Sequence, residues 1–203
     1  MNPAKIRLSQ TEMDMVKNAG LILTKNDILI KVSQVLINLQ VKQQEYLSLL
    51  KKKLPEKITA STYKISKGEN YQGLPYRVLD FPRVFELENI FAVRTMFWWG
   101  HFFSVTLHLS GVYKNKAEEK LISNFAILKE KGFYCYINDD PWEHHFDSFN
   151  YANISDWSAH DFVRTVGEKS FVKIANKISL EQWDDAGEIL LHYFTNLIDM
   201  IAD

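Results

Sequence analysis

The sequence predicts an α+β fold: a mainly antiparallel sheet built around a central hairpin at about 90–110 and packed by long N-terminal and C-terminal helices. Three observations predict it. Apolar residues recur at spacings of three and four near both ends of the chain. Residues 57–178 between them are rich in β-branched and aromatic residues and hold one helical insertion. Residues 90–110 place a large apolar side chain at nearly every second position, the period of a strand with one buried face. Strands and helices do not alternate throughout, as a doubly wound parallel sheet would require.

Ser9-Gln10-Thr11-Glu12 is a capping-box pattern, in which hydroxyl and carboxylate satisfy backbone N–H groups at the start of a short helix ending near Gly20. A longer helix follows from about Thr24 to Lys53. Ile28, Val32, Val35, Leu36, Leu39, Tyr46, Leu47, Leu50 and Leu54 form its apolar stripe, interrupted only by Gln43. Lys51, Lys52 and Lys53 suit the negative end of the helix dipole, and Pro55 stops the helix. The helical N-terminal part thus covers 9–54.

Lys57 to Ser66 reads as a strand and Lys67 to Asn70 as a loop. Pro75 and Pro82 make Tyr71 to Phe85 an edge or irregular strand. In the hairpin, a turn at Trp99-Gly100-His101 sets Phe97 opposite Phe103, Thr95 opposite Val105, Val93 opposite Leu107 and Phe91 opposite Leu109. That register makes one face apolar. The other collects Ala92, Arg94, Met96, Ser104, Thr106 and His108, and a slip of one residue would mix the faces.

The helical insertion is 117–131, with Ala117, Leu121, Phe125 and Leu128 on one side and Gly132 in the left-handed stop position. Phe133 to Ile137 is a short strand. Asp139 to Ala159 has no sustained period and reads as a long connection carrying at most one brief strand, the type of segment in which function concentrates. Phe162 to Val166 and Phe171 to Ile178 read as strands turned at Gly167. Ser179-Leu180-Glu181-Gln182 repeats the capping-box pattern and opens a C-terminal helix over 180–202, with Trp183, Ala186, Leu190, Tyr193, Phe194, Leu197 and Ile201 inward. With no repeat or flexible linker, the expectation is a single domain over residues 1–203.

Lys plus Arg (24) nearly balances Asp plus Glu (25), so no broad field draws in nucleic acid or an anionic membrane. The longest apolar run, Ile90 to Trp99, is too short to span a bilayer and contains Arg94. The opening residues lack a signal-peptide core and Cys135 is the only cysteine, which makes the cytoplasm the expected compartment.

Two groups of residues carry candidate chemistry. Arg94, Ser104, Thr106 and His108 share the polar hairpin face, and with Arg77 they suit a small anionic ligand, a carboxylate or phosphate taken through an arginine fork. His144 and His145, with Asp139, Asp140 and Glu143, are donor types for zinc, manganese or iron, although adjacent histidines point apart and no His-Glu-x-x-His pattern occurs. Cys135 has no base near it in sequence. No Gly-x-Ser-x-Gly elbow, P-loop or Gly-x-Gly-x-x-Gly turn is present, so no motif indicates a cofactor. The leading expectation is a non-catalytic ligand-binding or interaction domain. The alternatives are a metal-assisted enzyme using the 139–147 loop, and an assembly protein that forms a homodimer through the long N-terminal helix.

Overall fold

The structure, a computed structural model, describes residues 6–203. Residues 1–5, the start of the segment read for a signal peptide, lie outside it. In chain order the elements are α1 (Gln10–Lys17), α2 (Ala19–Leu49), α3 (Glu56–Thr59), β1 (Lys64–Tyr71), β2 (Leu74–Phe85), β3 (Ile90–Trp98), β4 (Phe102–Ser110), α4 (Gly111–Ser123), α5 (Phe125–Glu130), β5 (Tyr134–Tyr136), β6 (Tyr151–Asn153), α6 (Ala159–Glu168), β7 (Phe171–Ser179) and α7 (Ala186–Asp199). The strands form one antiparallel sheet in the order β1-β2-β3-β4-β7-β5-β6, so the fold is α+β as the sequence predicts.

The β3–β4 register is the predicted one at every pair, including Phe97 with Phe103 and Val93 with Leu107. Gly100 takes φ 75 in the three-residue turn, a left-handed conformation that glycine enters without steric cost. Val93, Phe103, Val105 and Leu107 are fully buried beneath Leu36, Leu39 and Leu47 of α2 and Leu190, Phe194 and Leu197 of α7. Both terminal helices therefore cover the same face. Of the predicted stripe, Val32, Leu36, Leu39 and Leu47 lie inside this core and Tyr46 packs against it, Ile28 and Val35 are half-buried, and Leu50 and Leu54 fall beyond the helix; Leu23, Ile30, Ile37 and Val41 of the same helix are exposed.

The predicted capping box at Ser9 forms, with Glu12 N–H donating to Ser9 Oγ at 3.3 Å and Ser9 N–H to Glu12 Oε2 at 2.7 Å. The second does not close. Ser179 caps through the Glu181 amide, a 3-10 turn runs over Leu180–Asp185, and the α-helix starts only at Ala186. The predicted helix over 117–131 begins earlier, at Gly111, and divides at Asn124.

Three assignments change. Residues 162–166 are helical within α6 rather than a strand: Ser158 caps the first turn, and Phe162 and Val166 are buried four residues apart, a helical spacing that outweighs the β-branched content. The strand expected at 57–66 starts at Lys64 and runs through the residues expected to form a loop, because the turn lies further on. Gln72 (φ 49) and Gly73 (φ 82) make a two-residue connection between paired Tyr71 and Leu74. Finally, β2 is an interior strand between β1 and β3. Its prolines fit because Pro75 stands at the start of the strand and Pro82, which has no N–H to give, falls where the β2–β3 register shifts between Asp80 and Arg83.

Candidate functional site

The alternation that builds the core on one face of the sheet builds a polar cluster on the other. β2 contributes Asp80, β3 Arg94, β4 Thr106 and His108, and β7 Lys173; in register, Asp80 pairs with Arg94, Arg94 with Thr106, and His108 with Lys173. Among the described residues no helix covers this face. It is roofed by the long connection after β5, from which Trp142, His144, His145 and Phe146 reach down onto the strands.

Arg94 is held on two sides. Its Nε donates to Asp80 Oδ1 at 2.7 Å and its Nη2 to Asp80 Oδ2 at 2.9 Å, a bidentate fork. Its Nη1 lies 2.7 Å from His144 Nε2. Because guanidinium only donates, that imidazole nitrogen is the acceptor and the His144 proton sits on Nδ1. Burial first, then the Arg94 and Lys173 charges, push the His144 pKa down to about 2, so the ring stays neutral.

Lys173 is 1% exposed and has no carboxylate in contact. Its ammonium donates to the carbonyls of Pro141 at 3.0 Å and Glu143 at 2.7 Å, and lies 3.8 Å from the centre of the Tyr136 ring. Burial, with Arg94 adding to it against the pull of Asp140 and Glu143, brings its pKa down to about 7. His108 is 6% exposed, and its Nε2 has no hydrogen-bond partner. Burial, together with the Lys173 and Arg94 charges, lowers its pKa to about 3.

These groups surround an inner cell of about 10 Å³, room for about one water, closed from above by Trp142. Two grooves flank it. One, of about 350 Å³, shares Arg94, His144 and Trp142 with the cell; the other, of about 500 Å³, shares His108 and Trp142. Trp142, 52% exposed, is the wall between cell and grooves.

A second polar cluster pins the roof at the β1 end. The Tyr71 hydroxyl accepts the amides of His144 (2.8 Å) and His145 (3.2 Å) and lies 3.1 Å from Glu143 Oε2. Burial chiefly raises its pKa to about 12. His145 sits between Glu143 (3.2 Å) and Asp147 (2.9 Å).

The sequence-predicted residues divide accordingly. Arg94, Thr106 and His108 meet at the cell. Ser104 lies one pair further along the face, between Met96 and Lys177. Arg77 is not with them: it pairs with Phe97 on the helix-covered face, and its Nη1 donates to the Tyr76 carbonyl. Of the five donors considered for a metal only His145 and Glu143 meet, at 3.2 Å. His144 is engaged by Arg94, His145 by the Tyr71 cluster, and Asp139 is exposed in an ion pair with Lys169. Among the described residues no group of three or more His, Cys, Asp or Glu is placed to hold a metal. Cys135 is buried and its thiol pushed up to about 12 by that burial. Lys173 and Asp80 are the site residues that sequence reasoning missed. The alternation of Phe171 to Ile178 puts Lys173 on the face away from Val172 and Ile174, but only the adjacency of β4 and β7 brings it to His108.

The fold and this cluster define an α+β protein with a lysine-centred polar cell on the sheet face away from its helices. Comparison with family models, curated proteins and solved structures returns no match.

Proposed function

We propose that the protein is a non-catalytic binding domain for a small organic anion, taken beneath Trp142 by Lys173, Arg94 and His108 when the half-exposed indole swings aside, since the closed cell has room for about one water. One observation carries this reading: two cations, Arg94 and Lys173, and His108, whose Nε2 is unpartnered, line one cell that no carboxylate lines, the nearest being Asp80 behind Arg94. Asp80 matches the charge of Arg94, which leaves Lys173 as the uncompensated charge. Burying it costs free energy that an arriving anion would recover. Lys173 has three donors and uses two on backbone carbonyls, and Arg94 retains N–H groups beyond those given to Asp80 and His144. The engagement of His144 by Arg94 and the outward turn of Asp139 favour this reading over a metal-assisted enzyme.

The test is thermal stabilisation of the wild type, Lys173→Met and Arg94→Ala by carboxylates and phosphates at millimolar concentration. At a hundred times Kd, binding adds about 2.7 kcal/mol to the wild type. Lys173→Met keeps the volume and removes the charge, so its stabilisation should vanish. A wild type indifferent to every anion would sink the proposal.

A further inference from the structure

The two grooves beside the cell differ in chemistry, and the difference says what the rest of the ligand is. The groove on the Arg94 side is mixed: Asp80, Arg94 and His144 put charge and hydrogen-bonding groups along it between Tyr71, Tyr76, Val78 and Met96. The groove on the His108 side is walled mainly by Leu87, Ile90, Pro141, Trp142 and Phe171, with Glu88, Ser110 and Ser170 as its polar lining besides His108. At its mouth Leu87 is 100% exposed, and Phe85 and Val112 beside it are also exposed. Exposed apolar side chains gathered at the entrance to a polar floor mark a surface that an apolar ligand body would cover. A volume of about 500 Å³ lies in the range of small-molecule sites.

His108 is the joint between the two compartments. Its ring stands edge-on to Trp142 at 5.9 Å and to Phe171 at 5.7 Å, inside the apolar groove, while its unpartnered Nε2 belongs to a residue that also lines the cell. A neutral imidazole whose Nδ1 is unprotonated carries a hydrogen on Nε2 and can donate it to a carboxylate oxygen. The charge balance sets the valence. Arg94 is matched by Asp80, so the floor offers one net positive charge, that of Lys173.

We infer that the ligand is an amphipathic monocarboxylic acid, its carboxylate on His108 and Lys173 and its apolar tail along the Leu87–Phe171 groove. This inference rests on the anion-binding reading proposed above, and it can fail separately from it.

The experiment is calorimetric titration of the intact protein with acetate, butyrate, hexanoate and octanoate, and with 1-octanol and inorganic phosphate as controls. Affinity should rise roughly fourfold for each methylene the groove buries. Octanoate should bind far more tightly than 1-octanol, which lacks the charge, and phosphate no more tightly than acetate. Leu87→Asp, at a position whose exposure keeps folding out of the comparison, should weaken octanoate tenfold or more and acetate far less. His108→Gln should weaken every acid. Equal affinity across the acid series, or octanoate binding unchanged in Leu87→Asp, would overturn the tail assignment and leave the anion site standing. Phosphate binding above all the acids would overturn the monocarboxylate. If neither phosphate nor an acid of any length binds, both readings fall.

Discussion

Acidification should destabilise this protein in a window well above ordinary carboxylate titration, and the cause is two buried histidines. An unfolded imidazole titrates near 6.5, whereas the folded values are about 3 for His108 and about 2 for His144. Both shifts are depressions. Between pH 6.5 and 3 the unfolded chain therefore takes up a proton at each position and the folded chain does not, so stability falls as pH falls. Each unit is worth about 1.4 kcal/mol per histidine. At pH 4.5, two units below the unfolded value and still above both folded ones, the pair should have cost roughly 5 kcal/mol, against a typical total of about 5–15 kcal/mol. Urea unfolding at pH 7, 6, 5 and 4.5 measures this directly, with an expected limiting slope from these residues of about 2.7 kcal/mol per pH unit. His144→Gln, whose amide oxygen can still accept from Arg94, should halve that contribution. A wild-type loss below about 1.5 kcal/mol over the window, or the same slope in His144→Gln, would refute the argument that these rings are held neutral by burial beside Arg94 and Lys173.

Three further outcomes follow from the same physics. Lys173 is depressed to about 7, so the folded chain sheds this proton before the unfolded one, and its burial penalty fades as pH rises from 7 towards 10.5. Anion affinity should move oppositely, weakening up to tenfold per unit above pH 7 in a titration of the wild type; a flat profile would contradict Lys173 as its source. Gln43 is fully buried in α2 with neither amide atom hydrogen-bonded, so Gln43→Leu should stabilise by about 1–2 kcal/mol in urea unfolding, and a loss of stability would show that the amide has a partner. Asp80→Ala leaves Arg94 facing Lys173 without compensation and should cost about 3–5 kcal/mol; a cost below about 1 kcal/mol would show that the guanidinium escapes to water.

What could be read in the sequence was local. The hairpin register was legible because the pattern of Ile90 to Ser110 penalises a slip on both strands at once, and α2 because its stripe holds its period from Val32 to Leu47, although the helix ends at Leu49, short of the expected Lys53. The inner face of α7 was legible for the same reason, with Leu190, Phe194 and Leu197 buried as spaced. Residues 162–166 were ambiguous because Phe162, Val163 and Val166 satisfy a short strand as well as a helix, and the deciding group, the Ser158 cap, lies outside the run. The polar face was half legible. Arg94, Thr106 and His108 come from one hairpin and are placed by its register. Asp80 and Lys173 arrive through β2 and β7, so their addition depends on strand order, which no local pattern encodes. Arg77 was misplaced for the complementary reason: counted along β2 from Asp80, it falls three residues away and therefore on the opposite face.

The roof over the polar cell is fastened by a hydroxyl at one end and an ammonium at the other. Tyr71 holds two amides and Lys173 holds two carbonyls. The carbonyl oxygens of Pro141 and Glu143 thus already occupy positions around the Lys173 charge that a guest's oxygens would seek. The polypeptide acts as its own competitor: every increment by which the roof is tied down is subtracted from the grip on a guest, and a looser roof would be a stickier receptor. Substitutions in residues 139–147 that never touch a ligand would therefore tune affinity through the strength of this internal rivalry.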